Sequence, residues 1–442
     1  MTRVRRRVGC AFATLAVISI PVLLFALAGL PHAFREPLVR NVLASVPGAG
    51  PPTVESPAFR ATLEMLTGAC LGAGNHVEWL ANGNGTFPRL WADLAAARRS
   101  ITVQMYYAQP GKVADDLRRL LSERAHAGVH VYVLYDAVGA HSLPRPYLDD
   151  LHAAGVETAI FRPARWYALD RVNHRSHVRG IVVDGTIAYT GGFGFDDKWL
   201  GGGRRLRQWR ETNARFTGPT AIQLQSAFVA QWAEATGELL IGDHLLAASG
   251  VPSQITQPED VEAALLFSPP VTGSTTAERL LALSIISARR RLYVTNAYFV
   301  PQADYVRLLT DAAKRGVDVR LLTNGPQGDS RVTWLAGRSR YETLLAGGVR
   351  IYEYQPTTVH AKTVVVDGRW AAVTTMNFDN RSLAYNSEVA LVVRDERLGA
   401  TMERWFQEDL GFSREILLPE FRRRSWLARL LERSASAVAG LL

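Results

Sequence analysis

The feature that most constrains this chain is a duplication. Ile101-Thr-Val-Gln-Met-Tyr-Tyr107 returns as Leu292-Tyr-Val-Thr-Asn-Ala-Tyr298, and Ala127-Gly-Val-His-Val-Tyr-Val-Leu134 returns as Arg315-Gly-Val-Asp-Val-Arg-Leu-Leu322. Ala154-Gly-Val156 then matches Gly347-Gly-Val349, in the same order and at nearly constant spacing. The last match is His177-Val-Arg179-Gly-Ile-Val-Val-Asp184-Gly185 against His360-Ala-Lys362-Thr-Val-Val-Val-Asp367-Gly368. Paired motifs that follow corresponding strands and helices imply two copies of one folding unit.

The local pattern says what that unit is. Leu90 to Arg99 reads as a helix by its Leu and Ala content, Ile101 to Tyr107 as a strand, Val113 to Ala127 as a helix closed by Gly128, and Val129 to Tyr135 as an alternating strand. Alternating strands and helices predict an α/β fold with mostly parallel sheets. In each copy a histidine and a cation stand at i and i+2, on one side of an extended segment. The β-branched run Val364 to Val366 places His360 and Lys362 at the start of a strand, with Asn377 on the next short strand or turn. That grouping suits a phosphate ester, since imidazole can attack phosphorus or shuttle a proton while a cation and an amide hold the phosphoryl oxygens.

With 442 residues, 48% hydrophobic and 21% charged, the chain has room for two domains of roughly 180 to 200 residues. Its 50 Lys and Arg against 41 Asp and Glu leave +9, which favours an anionic partner, a lipid headgroup surface or nucleic acid. The two cysteines, Cys10 and Cys70, exclude a disulfide framework. No cysteine and histidine cluster has zinc spacing and no Gly-rich nucleotide loop occurs, so metal-free, cofactor-free and nucleotide-free chemistry is expected.

Arg3, Arg5, Arg6 and Arg7 precede an uncharged, mostly apolar run from Val8 to Leu30, long enough to cross about 30 Å of hydrocarbon as a helix. This predicts a single-pass membrane anchor over residues 1–30 with its basic end in the cytoplasm. Ala26-Leu-Ala28 also offers a signal-peptide cleavage site. The charge asymmetry places the remaining chain outside the cytoplasm, on the periplasmic face of the inner membrane in a diderm bacterium. Residues 31–69 read as a linker, 70–245 and 246–430 as the two repeated domains, and 431–442 as an amphipathic tail. Arg422-Arg-Arg424 followed by Trp426, Leu427, Leu430 and Leu431 fits either a solvated helix face or a helix lying on anionic lipid.

The paired motifs resemble the phospholipase D superfamily, whose signature is H-x-K-x4-D in each of two halves, and the resemblance covers residues 70 to about 430. Within it the chain looks most like the bacterial cardiolipin synthases, through Ala96-Ala-Arg-Arg-Ser-Ile101, Asn173-His-Arg-Ser-His177, Gly191-Gly192, Trp209-Arg-Glu-Thr212 and Asn380-Arg-Ser382. The resemblance implies two α/β/α sandwiches side by side, with one motif from each meeting in a single site. It implies His177 as the nucleophile forming a phosphohistidine, and His360 as the acid that releases the alcohol and the base that activates the next one. Arg179, Lys362, Asn377 and Thr375 would bind the phosphate. Each histidine needs a carboxylate partner, Glu388 for His360 and Glu211 for His177, while Asp184 and Asp367 would be structural.

The implied substrate is the anionic phospholipid phosphatidylglycerol at a membrane, two molecules of which would give cardiolipin and glycerol. A hydrolytic phospholipase D and a superfamily nuclease use the same residues, although a chain tethered outside the cytoplasm seldom meets nucleic acid. The first motif departs from the pattern at Arg179, which replaces a lysine, and at Gly194, where an Asn is usual. In the second half Thr374-Thr375 replaces Gly-Ser. His174 has no cation two residues on and reads as scaffold.

Overall fold

The computed structural model describes residues 50–163, 173–247, 260–271 and 273–439, with Val39, Asn41 and Val42. The expected anchor over Val8 to Leu30 lies outside the described residues, and among these no helix is long and apolar enough to cross a membrane.

The first half contributes β1 (Gly72–Ala81), β2 (Ser100–Met105), β3 (His130–Asp136), β4 (Glu157–Phe161), β5 (Arg179–Val183), β6 (Ile187–Gly191) and β7 (Thr212–Thr217). The second contributes β8 (Val261–Ser268), β9 (Arg291–Asn296), β10 (Asp318–Asn324), β11 (Arg350–Tyr354), β12 (Lys362–Val366), β13 (Trp370–Thr374), β14 (Glu388–Arg394) and β15 (Ser413–Ile416). They form one sheet in the order β15-β11-β10-β9-β12-β13-β14-β8-β1-β7-β6-β5-β2-β3-β4. Outward from the central β8–β1 pair the two halves have the same strand order, so the duplication is also a duplication of topology, with β15 added at one edge.

The expectation of mostly parallel sheets is corrected. Among the described strands only β2-β3-β4 and β9-β10-β11 run parallel; the other pairings of the sheet are antiparallel. The cause is local. At Asp184-Gly185 and Asp367-Gly368 both residues have positive φ, between 54° and 70°, which is the turn that folds a strand straight back on itself. Each therefore starts a hairpin, β5–β6 and β12–β13, instead of a helical crossover. A second correction concerns the expected linker, which contains a helix, Pro57–Thr67, capped by the Ser56 side chain. Its Phe59 meets Trp370 of β13 edge-on with ring centroids 4.9 Å apart.

Helices cover the sheet with a separate core over each half, one built on Leu90, Leu117 and Ile181, the other on Leu280, Val294 and Val364. A third core draws on both halves, including Val178, Ala188, Val365, Val373 and Leu391, where β6 lies against β13 and β14. Because β5 and β7 run in one direction, as do β12 and β14, their N-terminal ends fall at the same end of each half-sheet, next to the C-terminal ends of β2 and β9. This seam is where the motif residues collect.

Candidate active site

His177 and His360 lie two residues before the starts of β5 and β12, and Arg179 and Lys362 are the first residues of those strands. All four are buried. What brings the halves together is backbone pairing just before each strand. The N–H of His177 donates to Ser387 O (2.9 Å) and that of Ser387 to Arg175 O (2.9 Å); the N–H of Arg210 donates to Thr358 O (2.9 Å) and that of His360 to Arg210 O (2.7 Å). Each histidine segment is thus zipped to the segment that carries the other half's glutamate.

The carboxylate partners are consequently the reverse of those expected. His177 Nδ1 lies 3.0 Å from both oxygens of Glu388, and His360 Nδ1 lies 2.7 Å from Glu211 Oε2. Both glutamates are fully buried. A carboxylate on Nδ1 leaves Nε2 as the nitrogen that faces the reaction. For His177 that atom is 3.4 Å from Arg179 Nη2.

Burial pulls the His177 imidazole below its ordinary range, outweighing the attraction of Glu388, which favours its neutral form. Burial, reinforced by Lys362 and Arg179, holds His360 well below the usual imidazole range. Burial also lowers Lys362 to about 7, against the pull of Glu211, and raises Glu211. Lys362 Nζ lies 2.9 Å from both ring nitrogens of His360. A phosphodiester brought into this buried cluster would offset the charges of Arg179 and Lys362.

The phosphate-binding candidates divide. Arg179 is held by the backbone carbonyls of Gly192 and Phe193 (3.3 Å to the latter), and its Nε has no partner among the described residues. Asn377 is buried, with no partner for Oδ1 among the described residues; a side-chain amide can offer either donors or an acceptor. Thr375 does not join them, because its hydroxyl donates to Glu388. Asp184 and Asp367 lie at the far ends of the motif strands. Asp184 accepts from the N–H groups of Arg98, Arg99 and Ser100 (2.7 to 3.1 Å), and Asp367 from those of Arg289, Arg290 and Arg291 (2.7 to 2.9 Å). His174 Nδ1 is 3.2 Å from Tyr385 O, and nearby Arg381 Nη2 donates to Asn173 Oδ1 (2.9 Å), joining two motif fragments from opposite halves.

The departure at Gly194 has a structural reason. A Cβ there would come within 2.9 Å of the Trp199 ring and of Tyr107 O. Trp199 fills the space an Asn side chain would need, donates from Nε1 to Glu211 Oε2 (3.2 Å), and faces Arg179 at 5.5 Å and His360 at 5.5 Å. Gly192 matches Thr375 in the repeat, and a Cβ on it would sit 2.4 Å from the Glu211 oxygens. One glutamate is therefore supported by a threonine hydroxyl and the other by an indole N–H. Sequence reasoning missed Trp199, which has no counterpart in the second half, and Lys198, whose ammonium lies among Tyr107, Trp199 and Trp209 at 3.7 to 4.8 Å. Tyr106 and Tyr298, edge-on to His177 and His360 at 4.8 and 6.1 Å, were passed over as strand residues, although Tyr298 aligns with Tyr107 in the repeat.

The family model described as cardiolipin synthase, PLD-like domain matches residues 90–232 and 281–410. The chain belongs to the cardiolipin synthase family of the phospholipase D superfamily. It is 32% identical over 365 residues to a cardiolipin synthase of Halalkalibacterium halodurans, covering 82% of this chain and 71% of that one. It is 34% identical over 388 residues to cardiolipin synthase A of Pseudomonas entomophila, covering 87% and 78%. Among solved structures, a phosphatidylserine synthase of Haemophilus influenzae superposes with a TM-score of 0.64 at 13% identity, over 83% of this chain and 95% of that one. That likeness concerns the fold.

Proposed function

We propose that the protein is a phosphatidyltransferase that joins two phosphatidylglycerol molecules into cardiolipin and releases glycerol. The observation that carries this reading is that two buried histidines, each held at Nδ1 by the other half's glutamate, lie in one buried cluster with Arg179 and Lys362. His177 Nε2 attacks phosphorus, forming a P–N bond as the P–O bond to glycerol breaks, and His360 gives its proton to the departing glycerol oxygen. A hydroxyl of the second phosphatidylglycerol then passes its proton to His360 and attacks phosphorus, and the P–N bond breaks. Arg179, Lys362 and Asn377 hold the non-bridging oxygens, two charged contacts and one amide for the charge that builds there. The incoming anion raises His360 towards its protonated form by offsetting the Arg179 and Lys362 charges. The basic N-terminal end and apolar run belong to the same reading, as an anchor that keeps the site at the outer face of the cell membrane.

Purified protein in phosphatidylglycerol vesicles, without added metal or nucleotide, is expected to produce cardiolipin and glycerol in equal amounts. Phosphatidic acid as the main product would replace this reading with hydrolysis, and the absence of any product would reject it.

A further inference from the structure

Helix Trp426–Ala439 packs on helix Arg331–Ala346. The side chain turned into the protein is Glu432, 2% exposed, which accepts from Arg338 Nε (3.2 Å) and Arg424 Nε (2.8 Å). Arg338 also donates to Glu353 (2.8 Å) and lies over the Trp334 and Phe421 rings, 4.9 Å from each centroid. The face turned outward carries Trp426 (75% exposed), Leu427, Leu430 and Leu431 (about half exposed). At i, i+1, i+4 and i+5 these four form one stripe. Exposed Arg422, Arg423, Arg429 and Arg433 flank it.

We propose that this stripe seats in an anionic lipid surface, with Trp426 and the leucines at the boundary between headgroups and acyl chains and the arginines on lipid phosphates. Charge decides the occupant. A second copy docking through the same stripe about a two-fold axis would bring the four arginines onto their own counterparts, whereas an anionic bilayer complements them. The buried ion pairs fix the angle at which the stripe is presented. The supporting helix also starts two residues after Asp329, which accepts from Tyr298 Oη (2.5 Å) beside His360, so the lipid-facing surface is tied to the wall of the active site. The proposal concerns membrane contact, goes beyond the transfer reaction, and is read without turnover.

The test uses the full chain with Cys10 and Cys70 replaced by serine, and an environment-sensitive fluorophore on Leu430→Cys or, as a control on the first half, on Asp115→Cys. Reconstituted into vesicles containing phosphatidylglycerol and a spin-labelled lipid, the label at position 430 is expected to shift to the blue and be quenched, while that at 115 is not. In vesicles of phosphatidylcholine alone the quenching should fall by about tenfold or more, because the arginine contribution is lost. No quenching at 430 in either vesicle overturns the proposal, as does equal quenching in both. Concentration-dependent self-quenching at 430 without lipid would show a second copy on this face and also overturn it. Adding Trp426→Glu and Leu427→Glu should abolish the quenching at 430, while an unchanged circular dichroism spectrum shows that the fold is kept.

Discussion

His177 and Glu388 are 211 residues apart in the chain, yet the imidazole and the carboxylate are 3.0 Å apart in the fold. This crossed pairing makes a prediction that the uncrossed one reverses. With a phosphatidyl donor whose leaving group is a nitrophenol, which needs no acid, the first-step rate of Glu211→Gln is expected to recover close to the unsubstituted level. Glu388→Gln, which on the proposed mechanism weakens the nucleophile, should stay depressed by about 10²- to 10⁴-fold. Recovery of Glu388→Gln instead would return Glu388 to His360. A second prediction concerns pH. Lys362 is lowered to about 7, so its ammonium is present below that pH and lost as pH rises through it, and kcat/KM should fall on the alkaline side. Lys362→Arg keeps its charge and should move that limb upward; an unmoved limb would mean that another group titrates. Trp199→Phe keeps the ring and removes the indole N–H from Glu211, and is expected to lower kcat about tenfold with little change in KM. His360, Lys362 and their altered twins were legible from residue order alone, because i and i+2 spacing is a local property. Trp199 was not, because its position beside Gly194 depends on how the loop between β6 and β7 packs against Tyr107, after β2.

At the scale of elements, the strands Ser100–Met105 and His130–Asp136 lie where side-chain periodicity put them, within two residues at each end, whereas the helix expected over Leu90 to Arg99 runs from Asn82 to Ala96 and so starts eight residues earlier. Strand direction was misjudged. Asp-Gly after a β-branched run is a hairpin signal, and giving it the weight of the helix pattern would have shown that β5–β6 and β12–β13 are antiparallel. The aspartates of those turns also anchor the next strand: Asp367 accepts from three consecutive backbone N–H groups at the start of β9. Asp367→Ala leaves those donors without the carboxylate and should destabilise the fold by roughly 2 to 4 kcal/mol, measured as a fall in the urea midpoint at unchanged m. A loss under about 1 kcal/mol would mean that water replaces the carboxylate there.

Across the whole molecule, β8 pairs with β14 on one side and β1 on the other, and β1 with β7, so the sheet continues from one half to the other, with a register shift between Gly72 and Asn75 at the β1–β8 junction. With a core shared by both halves as well, unfolding is expected as one calorimetric transition with matching calorimetric and van't Hoff enthalpies; two separated transitions would show that the seam is weak. The sequence by itself determined that there are two copies, that each presents a histidine and a cation on one side of a strand, and that the pair suits a phosphate ester, since repetition, spacing and side-chain chemistry are all written along the chain. Only the tertiary structure decided which glutamate serves which histidine, that Thr375 supports Glu388 instead of substrate, and that an indole stands where an amide was expected. Those contacts form between backbone segments of opposite halves and around a folded loop, and distance along the chain carries no information about them.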